Sequence, residues 1–390
     1  MSDARRPIKA VLLQIHSIAG LALALLWAVV GLTGATMSFE DEIEASLNSH
    51  LMRVEASAAR RLTPDELVAQ LQKVGDFGGV SAVAMASDPA AAAHIRFARS
   101  EGGTRPSSVY VDPYDGHVLG SPRGEDFFAT VRKLHRWLLL PGDGKGAGRQ
   151  ITGATVLGLI VLLISGLVLR WPRRASSAAL WLKPQWRLSG RGLHRSLHSV
   201  IGTWLLPIYL VIALSGLSYS YVWYKDGLTW LLSPKPPAAP KPARGERDAS
   251  PASQQPLALD LIWATALREA GDRYITLDLM LPAGGATAVR VRSWLDETHD
   301  IRDEFRIDAG TGRLIAAERY ADKSTGERVL ARVFDIHRGS MLGWPGRILF
   351  MLAAATMPLF AVTGLLLYLS RRRLRRPPQP VQTVQLVPGE

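Results

Sequence analysis

The 390-residue chain contains no cysteine. That excludes disulfides, iron–sulfur clusters and the C-x-x-C-H attachment of c-type haem. Acidic residues are missing from two long stretches, Gly144 to Lys225 and Arg371 to Gly389. No strand followed by a glycine-rich turn and a helix carries a dinucleotide fingerprint, so no flavin or nicotinamide domain is predicted. The glycine-rich run Gly142 to Gly146 lacks Walker spacing and reads as a flexible loop.

What is present is positive charge beside apolar runs. Lys and Arg number 46 against 34 Asp and Glu, a net charge of +12. In a soluble protein such a balance points to nucleic acid. Here the cations flank apolar stretches, so the partner they imply is membrane lipid with anionic headgroups, and nucleic acid is excluded.

A membrane span needs about 20 mostly apolar residues. Four windows meet this: 11–38, 148–171, 196–224 and 346–370. The start of the chain, with Arg5, Arg6 and Lys9, resembles a signal peptide. Its apolar run is too long for one and no clear cleavage site follows, so it reads as a retained first helix. The cations of the loop 172–195 (Arg173, Arg174, Lys183, Arg187, Arg191, Arg195) and of the tail 371–390 place these segments, and the N-terminus 1–10, in the cytoplasm. Segments 39–147 and 225–345 then lie outside, which for a bacterial inner membrane means the periplasm. Trp171, Trp181 and Trp186 mark one interface, and Tyr219, Tyr221, Trp223, Tyr224 and Trp230 the other.

Each outer segment reads as helix, then strands. Thr63-Pro64-Asp65-Glu66 starts one helix, and Leu257 to Ala270 forms the other. Alternation over Ala288 to Arg292 and Glu304 to Ile307 predicts strands. Asp112 with Gly116, and Asp308 with Gly312, mark tight hairpins. Residues 233–256, rich in Pro, Ala and Ser, form a linker.

An internal repeat organises the whole chain. Eighteen residues separate His16 from Gly34, and eighteen separate His198 from Gly216. The same spacing joins Gly148 to Gly166 and Gly346 to Gly364. His135-Arg136 precedes the second window and His337-Arg338 the fourth. The fold class is thus an α-helical membrane protein, a four-transmembrane-helix bundle from a tandem repeat with two α+β extracytoplasmic domains. Two halves running in the same direction relate by an axis along the membrane normal. That axis sets His16 against His198 and His135 against His337.

A lone histidine in a helix is usually a packing residue. Two pairs related by a repeat are what a bis-histidine haem requires, one ligand on each side of a planar macrocycle. Gly20 and Gly202, four residues past His16 and His198, leave room for such a plane or serve helix packing. Eighteen helical residues rise about 27 Å, near the roughly 30 Å of a hydrocarbon core, so two haems would lie at two depths. Arg136 and Arg338 read as propionate partners or as surface ion pairs. His194 has no repeat counterpart and reads as an alternative ligand, a propionate contact or an interfacial residue. With His198 it has zinc-hydrolase spacing, but the required Glu and a third ligand are missing. His50, His94, His117 and His299 read as surface residues.

The L-H-R-W at Leu134 to Trp137, the H-x-x-x-G helix starts, the [ST]-G helix ends and the D-x-x-x-G hairpins resemble the PepSY-associated transmembrane family. Within it, the chain is most similar to the bacterial ferric-siderophore reductases. The resemblance implies two b-type haems in a four-helix core, PepSY-like outer domains, and His16, His198, His135 and His337 as iron ligands. It implies a haem-dependent oxidoreductase of iron uptake, fed by a quinol or a cytoplasmic reductase and acting on a ferric siderophore. Two rival readings remain at this point. One is a haem-free, membrane-anchored regulatory or binding module. The other is a di-haem cytochrome passing quinol electrons to a protein partner.

Overall fold

The structure is a computed structural model that describes residues 5–98, 106–171, 176–233, 258–282 and 287–374. The predicted linker 233–256, apart from its first residue, lies outside these, as do Arg173, Arg174 and the tail beyond Leu374. Four helices are long and apolar enough to cross a membrane: Pro7–Leu47, Ala147–Arg170, Gly190–Ser220 and Ser340–Leu374. They are called the first to fourth helices below. Their flanks expose large apolar side chains such as Leu25, at 75%, Ile164 and Val362. Water would penalise such a surface and lipid does not. The chain is a multi-pass membrane protein.

The helix ends differ from the sequence expectation in ways the local chemistry explains. The first helix tightens into a 3-10 turn at Met37–Phe39 and continues as Glu40–Leu47. The third begins at Gly190 and ends at Ser220, where Tyr221 turns extended before a separate helix, Val222–Leu232. The fourth is interrupted at Thr356, between helical segments Gly343–Ala355 and Met357–Leu374. Pro358 lacks the N–H that would continue the ladder there.

Contacts divide the chain into two compact units. The helical unit takes the described residues as far as Leu32, those of 154–213, and those from Leu352 on. Its core is Trp27, Tyr209, Ala353 and Met357, with Leu23, Leu205 and Phe360 packed against them.

The second unit, 33–153 with 214–351, contains the strands. They are β1 (Val80–Ala86), β2 (Ala93–Phe97), β3 (Ser108–Val111), β4 (Val118–Gly120), β5 (Thr276–Met280), β6 (Ala288–Trp294), β7 (Arg302–Asp308) and β8 (Leu314–Glu318). The sequence predicts two separate α+β domains. The structure joins their strands in one sheet, ordered β4-β3-β2-β1-β5-β6-β7-β8. The joint is an antiparallel pairing of β1 with β5, Ala82 opposite Met280 and Ala86 opposite Thr276. Strand order therefore runs outward the same way on each side of the joint.

Alternation decides which face is covered. Val83, Met85, Val289, Val291, Phe305 and Ile307 are buried. Helices Pro64–Val74 and Leu259–Ala270 supply Leu67, Leu71, Ile262 and Ala266 to the same two clusters. Trp263 packs against both. Thr63 and Glu66 form a full capping box, worth about 1 kcal/mol. Both predicted hairpins form. Gly116 and Gly312 donate to the Asp112 and Asp308 carbonyls, both at 3.0 Å, with φ of 78° and 65° that suit glycine.

Candidate functional site: four clamped histidines

His16 sits in the first helix, facing the second. Its Nδ1 lies 2.9 Å from Ser165 Oγ. That hydroxyl donates its own proton to the Val161 carbonyl, four residues back, at 2.7 Å. It must therefore accept from the imidazole, which fixes His16 as the Nδ1–H tautomer and leaves Nε2 bare of hydrogen. His198, in the third helix, repeats this with the fourth. Its Nδ1–H donates to Thr363 Oγ1 at 2.8 Å, and Thr363 donates to the Leu359 carbonyl at 2.6 Å. Among the described residues neither Nε2 has a hydrogen-bond partner. The two rings stand edge-on, with centres 6.3 Å apart and planes at 76°.

The second pair is held by the same device. His135 ends the helix Glu125–Trp137, and its Nδ1 meets Thr33 Oγ1 of the first helix at 3.1 Å. His337 lies in the short helix Val333–Arg338, and its Nδ1 meets Ser215 Oγ of the third helix at 2.9 Å. Tyr219 stands edge-on to the His337 ring at 5.9 Å. All four histidines are half-buried.

Each hydroxyl is followed by a glycine, and each glycine lies against the same imidazole. A methyl group added at Gly34, Gly166 or Gly216 would stand 3.1, 3.2 or 3.3 Å from Cε1 of His135, His16 or His337. At Gly364 the distance to His198 is 3.7 Å, an ordinary contact. Gly34→Ala is thus expected to displace the His135 ring, while Gly364→Ala leaves His198 in place. Imidazole NMR signals of the two purified variants check this, and identical behaviour would contradict the packing. By contrast, Gly20 has nothing within 4 Å and Gly202 meets Phe360. The glycines that shape the imidazole sites are those of the [ST]-G pairs.

The chain matches the family described as the PepSY-associated TM region over residues 13–371. It belongs to that family. No curated protein matches it.

The remaining candidates of this PepSY-associated transmembrane protein separate clearly. Arg338 is tied down: it pairs with Asp41 at 3.1 Å, donates to the Thr298 carbonyl at 3.2 Å and stacks over Phe334. Arg136 is exposed and its guanidinium has no ion-pair partner among the described residues. His194 is half-buried and makes no hydrogen bond, ion pair or ring contact among them, whereas His198 makes all its clamp contacts.

Two outer histidines depart from the surface reading. His94 is half-buried, bonded to Ser108 Oγ at 2.7 Å and stacked on Tyr110 at 4.5 Å. Beside it, burial works against the Glu125 carboxylate, yet hydrogen bonds from His94, Ser107 and Ser108 hold it at about 2. His299 is half-buried and bonded to Asp296 at 2.9 Å. His50 and His117 are exposed as expected. The run Gly142 to Gly146, expected as a loop, contains the 3-10 turn Asp143–Lys145.

Sequence reasoning marked Thr33, Ser165, Ser215 and Thr363 as [ST]-G helix ends but gave their hydroxyls no part in holding the histidines. Their recurrence immediately before a glycine in all four helices is the signal that finds them. It also passed over Arg347, a cation in the apolar start of the fourth helix. Its side chain is buried, paired with Glu42, and donates to the Ser38 carbonyl at 2.6 and 3.2 Å. Phe39 and Trp344 lie against its guanidinium at 4.7 and 5.7 Å.

Proposed function

We propose that the protein moves electrons across a bacterial inner membrane through two b-type haems and reduces a ferric siderophore on the outer side. His16 and His198 would hold one haem, and His135 and His337 the other. The observation that carries this is the clamp repeated four times: Nδ1 on a hydroxyl and a glycine under the ring. A ligating histidine is typically fixed through its other nitrogen, which sets the tautomer and aims the free nitrogen at the metal.

The spacing of the first pair supports the same reading. A metal–nitrogen bond of about 2 Å puts the centre of a ligating imidazole about 3 Å from the metal, so two opposed ligands have ring centres about 6 Å apart. The rings of His16 and His198 are 6.3 Å apart. Among the described residues no three His, Cys, Asp or Glu gather as a metal cluster. A pair of donors cannot close a four-ligand shell, but it completes a metal whose other four donors come from a macrocycle.

When bound, haem supplies reversible one-electron chemistry at iron. The chain's own residues hold the neutral imidazoles in register, keep the first pair among apolar helices and offer Arg136, next to His135, as a cation for a propionate. The cations Lys183, Arg187, Arg191, Arg195 and Arg371 to Arg373 support a cytoplasmic placement of the termini and middle loop. The donor on that side would be a quinol or a cytoplasmic reductase. On the other side one electron converts the ferric siderophore to its ferrous form, which hard oxygen ligands hold less tightly, and iron is released.

The test is a reduced-minus-oxidised spectrum of the purified full-length protein with haem quantification. Two b-type haems per chain are expected. A preparation with no Soret band, from cells supplied with haem, sinks the proposal.

A further inference from the structure

Trp27 lies eleven residues past His16, and Tyr209 eleven past His198. Both are buried in the helical core, at 9% and 3% exposure. Trp27 Nε1 donates to the Thr155 carbonyl at 3.1 Å, and the Tyr209 hydroxyl donates to the Ala353 carbonyl at 2.8 Å. A shift of 182 residues carries His16 onto His198, and it also carries Trp27 onto Tyr209. A shift of 198 carries Gly166 onto Gly364, and it also carries Thr155 onto Ala353. The two bonds to a carbonyl occupy matching positions, and the Tyr209 hydroxyl adds a second, 2.7 Å contact with Thr356 Oγ1.

Packing alone does not call for these residues. Leucine fills an apolar core without an N–H or O–H to satisfy. Thr155 lies inside the uninterrupted helix Ala147–Arg170, so its carbonyl needs no outside donor. The bond there serves the ring, holding its orientation.

Phe360 links this pair to the first histidine site. It stands edge-on to His198 at 5.3 Å and edge-on to Tyr209 at 5.9 Å. The counterpart of Phe360 in the other half is Leu162, so His16 has no matching ring. An unbroken series of aromatic contacts therefore leaves the site by His198. Further along the same two helices, six residues past Trp27 and Tyr209, stand Thr33 and Ser215, which clamp His135 and His337.

Building on the haem reading, we propose that Phe360 and Tyr209 are the path by which an electron leaves the His16/His198 site. The first site is oxidised by one electron and the second reduced by one. No ring changes oxidation state, because the electron tunnels across the edge-on contacts of the rings. No proton moves, because the Tyr209 hydroxyl stays on the Ala353 carbonyl.

The test uses the full-length protein carrying both haems, reduced rapidly from the donor side, with the interval between reduction of the first and second haem followed by absorbance. Phe360→Leu and Tyr209→Leu are expected to slow transfer by an order of magnitude or more. Tyr209→Phe keeps the ring and is expected to keep the rate. Haem content and midpoint potentials of all three variants are expected to match the unaltered protein. Unaltered transfer in Phe360→Leu overturns the path, as does equal slowing in Tyr209→Phe and Tyr209→Leu. Slowing that comes with lost haem or shifted potentials also overturns it, since the rings then only shape the sites. An unaltered protein without haem overturns the reading beneath the path, and is told apart by its lack of any Soret band.

Discussion

His198→Ala is expected to remove one haem of two and leave the other with its spectrum intact. On the proposed haem reading, His198 would be one of the two histidines that hold the group. Its partner, His16, is held by its own clamp on Ser165 at 2.9 Å and does not depend on His198 for its position. Without His198, His16 alone would be left to hold the haem in the apolar helical core. His16→Ala is expected to give the same loss, and His135→Ala or His337→Ala the complementary one. His194→Ala is expected to retain both haems. Haem-to-protein ratios of the five variants measure this. Full retention in His198→Ala together with loss in His194→Ala would move the ligand assignment to His194.

Arg347→Ala is expected to cost more stability than any other single surface-to-core change near the start of the fourth helix. The substitution strips Glu42 of its cation and the Ser38 carbonyl of two donated bonds, and opens a gap against Phe39 and Trp344. Removing one partner of a buried ion pair costs about 3–5 kcal/mol, and the 35% exposure of the Glu42 side chain brings the expected loss nearer 2–4 kcal/mol. Arg347→Met with Glu42→Gln is expected to recover part of the loss, because no charge is then left without a partner. Thermal melting of the full-length protein in detergent checks both. An Arg347→Ala protein that melts with the unaltered one would refute the assignment.

The parts of this architecture legible in the sequence are those that local pattern dictates. Each apolar window is long enough to declare a span by itself, and the Asp112 and Asp308 hairpins carry their turn chemistry within five residues. The pairing of His16 with His198 was legible because the repeat relates them. The β1–β5 joint was not, since each strand shows only its own alternation and neither names its neighbour. The clamps were half-legible. The [ST]-G pairs stood out as helix endings, but nothing local says that Thr33 reaches His135 across a long stretch of chain. The break at Thr356 follows from Pro358, whereas the tie between Arg347 and Glu42 depends on two helices meeting.

The joint between β1 and β5 has a consequence for how the protein is made. β1, Val-Ser-Ala-Val-Ala-Met-Ala, carries no charge and no proline to guard its open side. During synthesis that side stays bare until the chain past Met280 has emerged, and only then does β5 cover it. A nascent first half is therefore a sticky object, prone to pair with another copy of itself. Gene fragments that end in the segment after the third helix should need a chaperone or the second half supplied alongside.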